Sequence, residues 1–434
     1  MTRVPSSVVP RLLADITPLR ESPDFRRLYV GQLISFVGTQ LTLVAVPYQV
    51  FHLTHSSLQV GLVSLAELGP LVLGSLIGGA VADSTDRRRL LLRMQVLMAC
   101  TSAGLAVNAS LDRPAVWPIY VLSAMAAGFS GIDRPARSAV IPNVVARAQL
   151  PAAYALWQIL LQVGGVLGPA LAGLLIAGVG LTAVFALDVL TFVAAFAAVL
   201  RMAPVPPAGG GTKAGLASIA EGLRFLRSRR ELLGVFAIDL NAMVFGLPRA
   251  LFPAMAVQVF GGGPTTYGLL AAAPGTGALL AALTTGWVSH VRRQGRAVLV
   301  AVALWGAAMV GFGLTGTLWV ALVLLAVAGG ADVVSAVFRN TILQTSVPDT
   351  LRGRVSSVQI AVVTGGPRLG DAEAGTVAAL AGLRFSVVSG GVLCVLGVLA
   401  VAWRLPQFRD YRTVTLDAEC PTPPVPVDAP SPTS

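Results

Sequence analysis

Four acids stand inside long apolar runs of this chain: Glu67, Asp188, Asp239 and Asp332. A carboxylate in a segment long enough to cross a bilayer is expensive unless it faces water or a partner, so each is a functional candidate by default. Desolvation favours the neutral acid, which suits such a group to reversible proton exchange near neutral pH. Glu67 has apolar neighbours for several turns on both sides and is the first candidate for that role. A fixed hydrogen bond or ion pair to another helix is the alternative. Asp188 and Asp239 lie within about two turns of the ends of their runs, where water could reach them without any part in proton coupling. Asp332 is deeper, but Arg339 follows two turns later on the same helix, so a structural charge network is open to it as well.

Two mixed clusters add to these acids. Asp133, Arg134 and Arg137 lie toward the end of the fourth run, and Arg368, Asp371 and Glu373 occupy the eleventh. Opposite charges on several helices suit an inner gate that closes by ion pairing and opens as helices part; static packing of helix ends is the other reading. Arg249, two-thirds of the way across the seventh run, could draw an anionic cargo into a cavity, snorkel outward, or pair with an acid. No GxxxxGK[ST] phosphate loop, nucleophile elbow or His/Cys ligand cluster occurs. His52, His55 and His290 read as isolated loop positions, and Cys100, Cys394 and Cys420 are widely spaced. ATP hydrolysis, a bound metal and a cofactor are therefore not expected, nor is an enzyme.

The elements that must position these residues follow from hydropathy. Of the 434 residues, 55% are hydrophobic and 12% charged, and mean hydropathy is +0.77, too apolar for a water-soluble globule. A bilayer core needs about 20 apolar residues per helix, and the long continuous runs favour helices over a barrel's alternation. Twelve spans are predicted at 28–51, 58–82, 90–109, 116–138, 151–177, 181–201, 232–256, 265–289, 296–314, 318–344, 355–381 and 385–405. An all-α membrane protein with both ends on one side results.

Arginine distribution sets the side. Basic residues gather in segments 1–27, 87–93, 201–230, 292–296, 352–354 and 404–412, with Arg147 on the same side, while the opposite loops hold Arg113 and Arg384. Both termini are thus expected in the cytoplasm, with the chain in the cytoplasmic membrane. The net charge of +11 needs no nucleic-acid partner, because the basic residues form no single soluble face. Residues 1–27 read as a non-cleaved cytoplasmic segment. Residues 202–231 read as a linker, flexible at first and then a basic surface helix, and 406–434 as a disordered tail.

An internal echo divides the chain at that linker. Gly79-Ala-Val-Ala-Asp83 before a basic loop is matched by Gly286-Trp-Val-Ser-His290 before another, an offset of 207. Val140-Ile-Pro142-Asn143 is matched by Ser346-Val-Pro348-Asp349, an offset of 206. Two six-helix halves, 28–201 and 232–405, are expected to be pseudo-symmetric and to enclose a site near the bilayer midplane.

The stretch Gly78 to Arg89, with Gly79, Asp83, Arg87 and Arg88 in register, resembles the signature loop between helices 2 and 3 of the major facilitator superfamily. Ser84 stands where an arginine is usual. The sequence is similar, more narrowly, to the enterobactin exporters and related drug-efflux members. The similarity lies in Phe25-Arg-Arg-Leu-Tyr-Val-Gly-Gln, Ala45-Val-Pro47, Gln59-Val-Gly61-Leu, Arg249-Ala-Leu-Phe-Pro253-Ala, Gly353-Arg354-Val and Leu405 to Arg409. Departures are His290 in place of an acid and the charged stretch Gly365 to Gly375. The resemblance implies that Asp83 helps hold the halves together near the start of helix 11, close to Val355. It further implies a carrier working by alternating access, with protons returning through acids such as Glu67 as a siderophore, drug or antibiotic leaves. The partners expected are the bilayer, a small molecule and protons, with a monomer as the simplest assembly. A metabolite uptake carrier of the same fold is the alternative. A membrane-embedded enzyme or scaffold would need a catalytic constellation or soluble domain that the sequence lacks.

Overall fold

The apolar runs become helices whose starts are set by local polar residues. In the computed structural model, which describes residues 15–206, 224–226 and 229–412, Ser22 caps α1 (Pro23–Thr54) by accepting the Phe25 N–H. Ser56 caps α2 (Ser57–Ser84) at Gln59, and Asp86 caps α3 (Arg87–Ser110) at Arg89. Each side chain satisfies an N–H that has no partner in its own helix. α4 is Val116–Val144. Leu150–Leu200 is broken at Gly180, whose φ of 83° only glycine adopts readily, into α5 (150–179) and α6 (181–200). The chain reverses there: α1 runs parallel to α5, with Phe36 and Gln40 against Gly164 and Gly168. It runs antiparallel to α6, with Gly31 and Gly38 against Ala195 and Thr191.

The second half holds α7 (Arg230–Phe245), α8 (Pro264–Leu283), α9 (Gln294–Leu314), α10 (Leu318–Ser346), α11 (Asp349–Ala381) and α12 (Leu383–Arg404). Ten stretches are long and apolar enough to cross a membrane. One of them contains both α5 and α6, and the 33-residue α11 is charged enough to fall outside that set. The described residues thus contain twelve long helical segments. Several overrun the expected spans: α1 starts at Pro23, α4 continues to Val144 and α11 starts at Asp349. Hydropathy marks the apolar slab, whereas the helices continue into polar surroundings. The eighth is shorter than expected, because α8 ends at Leu283 and Thr285–His290 forms a 3-10 turn. Most of the linker and the tail beyond Arg412 lie outside the described residues.

The surface is that of a membrane protein. Leu380, Leu283 and Trp403 are largely exposed, an arrangement lipid rewards and water does not. Trp117 and Trp319 at the starts of α4 and α10, and Trp403 at the end of α12, are exposed near opposite edges of the bundle, the depth preferred by indole.

Packing is mainly within halves. α1 packs on the Leu150–Leu200 arms, α2 on α4, and α3 on α4 and α6; α7 packs on α11 and α12, α8 on α10, and α9 on α10 and α12. Two helix pairs cross between halves, α2 with α11 and α5 with α8. The sequence echo relates α2 to α8 and α5 to α11, so one pseudo-two-fold relates both crossings. Their close contacts lie in the half of the bundle away from the termini, where Gly61 meets the Asp371–Ala372 backbone, Gly375 meets Ser57, and Gly173 meets Gly268. Contact extends to Leu68 against Gly365 and to Gly165 against Gly275. Toward the termini, Gly69, Gly79 and Gly286 have open space where a side chain would project. The halves are closed at the far end and parted at the terminus end.

Candidate functional site

The α2–α11 crossing carries the charged residues that join the halves. Ser64 and Glu67 lie one turn apart on α2, and Arg368 and Asp371 one turn apart on the antiparallel α11, so the spacings match. Arg368 Nη2 approaches Glu67 Oε2 at 3.3 Å, with side chains 21% and 17% exposed. The Ser64 hydroxyl donates to Asp371 Oδ2 at 3.0 Å. Asp371 is buried and accepts a second bond, at 2.9 Å, from the Ala250 N–H.

That N–H is available because the seventh helix is discontinuous. α7 stops at Phe245, and the chain resumes after Gly246-Leu247-Pro248 as a short 3-10 turn, Arg249–Leu251, that leads into Phe252–Ala254 and a π turn, Met255–Val259. Proline lacks a donor and clashes with the preceding turn, which breaks the ladder at this point. The break leaves a carbonyl as well as an N–H. Trp305 Nε1 satisfies the Gly246 carbonyl at 2.7 Å, and Asp371 satisfies Ala250 at the positive end of the resumed segment. A broken helix near mid-bundle whose free backbone groups face partners is characteristic of carrier sites. Arg249 is exposed at the break, within the electrostatic reach of Asp371 and Asp332. Above it, the rings of Tyr48 (α1) and Tyr267 (α8) stack at 6.0 Å across the halves.

The other acids are placed differently from expectation. Asp188 does not meet water: it is 1% exposed and accepts from Thr42 Oγ1 and Ser102 Oγ, both at 2.7 Å, and from Thr191 Oγ1 at 3.3 Å. These hydroxyls tie α1, α3 and α6 together. Asp239 is also buried, paired with Arg339 at 3.0 Å; both side chains are 6% exposed. Asp332 stands 3.6 Å from the same guanidinium, forming a triad within the second half.

With the terminus end parted, the described residues show no ion pair between the two mixed clusters. Asp133 and Arg137 form a buried bidentate pair one turn apart on α4, with contacts of 2.8–2.9 Å. Such a pair stays on its own helix. Arg368 and Asp371 do cross the halves, but at the closed end, because α11 begins well before its apolar section. Glu373 is half-buried beside them. Arg134 is exposed and, among the described residues, has no ion pair; it lies in the field of Arg368 on the opposite half.

At the signature loop, the arginines serve helix ends. Arg87 is buried, donating to the Ala82 and Ala139 carbonyls, and Arg88 donates to the Val199 and Leu200 carbonyls at the end of α6. Cations are favoured there by unsatisfied carbonyls and the helix dipole. Asp83 stands 3.9 Å from Arg87; its expected contact at the start of α11 falls where the side chains of Asp349, Thr350 and Arg352 lie outside the described ones. Close approach of α2 to α4 falls to Gly74 and Gly78, against Gly128 and Ile132, while Gly79 faces open space. His52 lies in the last turn of α1 instead of in a loop. Among the described residues, no group of three or more His, Cys, Asp or Glu could hold a metal ion.

Two helical halves with a broken helix and paired charges between them define a carrier of the major facilitator fold. The nucleoside transporter NupG superposes with a TM-score of 0.69 at 13% identity, covering 88% of this chain and 98% of that one. A bacterial homologue of the human lysosomal transporter Spinster, in an inward-facing and unoccupied conformation, superposes at 0.68 with 15% identity, covering 89% and 98%. These likenesses concern the fold. A family profile described as transmembrane secretion effector matches residues 13–430, and the chain belongs to that family, within the major facilitator superfamily. The enterobactin exporter of Citrobacter koseri is 29% identical over 419 residues, 96% of this chain and 98% of its own length. The enterobactin exporter of Shigella boydii is 30% identical over 401 residues, 92% and 96% respectively.

Proposed function

We propose that this chain exports a small organic molecule across the cytoplasmic membrane by alternating access, in exchange for protons carried by Glu67. The observation behind the coupling is the Glu67–Arg368 bridge, which joins the halves where they are closed. When that end opens, the two residues separate, and a carboxylate without its guanidinium in a low-dielectric site takes a proton more readily. When it closes, Arg368 returns and expels the proton toward the terminus end. Glu67 therefore holds its proton more tightly facing one side than the other, the asymmetry an antiporter needs. The arginines of the terminus-side segments support a cytoplasmic location for that end, and export follows the relatives, named as exporters of enterobactin. A siderophore is the first cargo to test and a lipophilic antibiotic the second. A monomer suffices, and no ATP is needed.

The test is accumulation of a radiolabelled catecholate siderophore and a macrolide in an efflux-deficient host, with and without the protein and a protonophore. Exclusion of one compound only while the proton gradient stands supports the reading. Increased accumulation would reverse the direction to uptake. In proteoliposomes, Glu67→Gln is expected to abolish acceleration by a pH gradient while leaving cargo counterflow intact. Gradient-driven export that survives Glu67→Gln removes Glu67 from the mechanism.

A further inference from the structure

The space between the parted halves is lined by more guanidinium than its pairs neutralise. Arg134 projects from α4 of the first half and Arg368 from α11 of the second, with Arg134 in the field of the Arg368 charge. The acid beside Arg134 in sequence, Asp133, is already occupied by Nε and Nη2 of Arg137. Arg368 donates to Glu67 through Nη2 and to the Thr364 carbonyl through Nη1, and its Nε is buried with no hydrogen-bond partner. Arg249 stands exposed at the break of the seventh helix. Two arginines that repel one another across a gap, one with an unused donor, are the arrangement that an oxyanion stabilises, because guanidinium donors match paired oxygens.

We infer that Arg134 and Arg368, with Arg249 nearby, form a binding site for the anionic oxygens of a small organic acid, and that an anion seated there draws Arg368 away from Glu67. The inference rests on the exporter reading and assigns its cargo a charge class. It also gives binding a consequence for the fold, because the Glu67–Arg368 bridge helps hold the far end shut. The groups facing Glu67 are Arg368 and Asp371 on α11, in contact or electrostatic reach, with Ser64 on its own helix already donating to Asp371. Once Arg368 turns to the anion, the remaining charged neighbour, Asp371, is of like sign. As the far end opens, Glu67 takes one proton onto a carboxylate oxygen from that side, the side opposite to cargo entry. In detergent, anion binding is thus accompanied by proton uptake, while across a membrane the two move in exchange.

The experiment uses the purified full chain in detergent, titrated with salicylate, phthalate and benzoate, with salicylamide as the neutral control. Binding is read by calorimetry and proton uptake by a pH indicator in weak buffer. The expected result is preference for an acid over the amide, with up to one proton taken up per anion bound. Glu67→Gln should tighten the anion about tenfold and abolish the uptake, since the competitor for Arg368 is gone. Arg134→Gln and Arg368→Gln should each weaken binding about tenfold or more, and Arg368→Lys should recover part of the loss without the fork geometry. Thermal unfolding of each variant separates lost binding from lost folding. Failure of every acid to bind better than salicylamide, binding without proton uptake, or undiminished binding by folded Arg368→Gln overturns the proposal. Proton-driven export of a neutral or cationic compound by the same protein in proteoliposomes, with no acid bound in detergent, would overturn the anion site and leave the exporter reading standing.

Discussion

Gly173 of α5 and Gly268 of α8 meet backbone to backbone: a Cβ placed on Gly268 would lie 2.7 Å from the Gly173 Cα and 2.8 Å from the Pro169 carbonyl oxygen. No side chain fits there while the far end is closed. Gly268→Val should therefore bias the protein toward the form open at that end. On a background lacking the native cysteines, Ser64→Cys should react with an impermeant maleimide several-fold faster when Gly268→Val is added. Equal rates would show that this contact does not control closure.

Asp188 is predicted to stabilise the first half without taking part in transport. Asp188→Ala leaves the Thr42 and Ser102 hydroxyls without their acceptor and should cost about 3 kcal/mol. The expected outcome is a lower Tm with unchanged export per folded molecule. Loss of proton dependence in folded Asp188→Ala would instead give the acid a coupling role.

The Arg339 triad separates pairing from mere charge. Arg339→Gln strands Asp239 and Asp332 without their cation and should destabilise by about 3–5 kcal/mol. Adding Asp239→Asn should recover a large part of that loss. Two losses that simply add in thermal or denaturant unfolding would argue against energetic coupling across the 3.0 Å pair.

The break at Pro248 predicts a trade between stability and turnover. Pro248→Leu allows the seventh helix to continue, so the Ala250 N–H can turn from Asp371 toward an intrahelical carbonyl. Such a variant should unfold at the same or a higher temperature and transport more slowly. Unaltered turnover would mean that the break has no mechanical part in the cycle.

These expectations draw on features that the sequence disclosed unevenly. The spans were readable because a bilayer imposes a length and an apolarity that hydropathy measures directly. Glu67 stood out for its surroundings, but its partner did not, since which helices cross between halves depends on tertiary packing. Asp188 and Asp239 lie near the ends of their runs yet are buried, because neighbouring helices and not distance along a helix decide exposure. The break in the seventh helix has a signal in Gly246-Leu247-Pro248, but hydropathy runs through it as one apolar span. For Asp83, the resemblance supplies a role at the start of α11, whereas its contact with Arg87, four residues along the chain, is one that helical spacing alone offers.

The single residue joining α5 to α6 has a mechanical consequence. With Gly180 as the only non-helical link there, and with Asp188 holding α6 to α1 and α3, displacement at the Gly173 contact cannot be absorbed as slack. It must carry the first half as one lever. The second half has its own joint at Gly246–Pro248, so two halves related by an echo in sequence differ in stiffness. Distances between spin labels within the first half should stay constant through the transport cycle, while those spanning the α7 joint change.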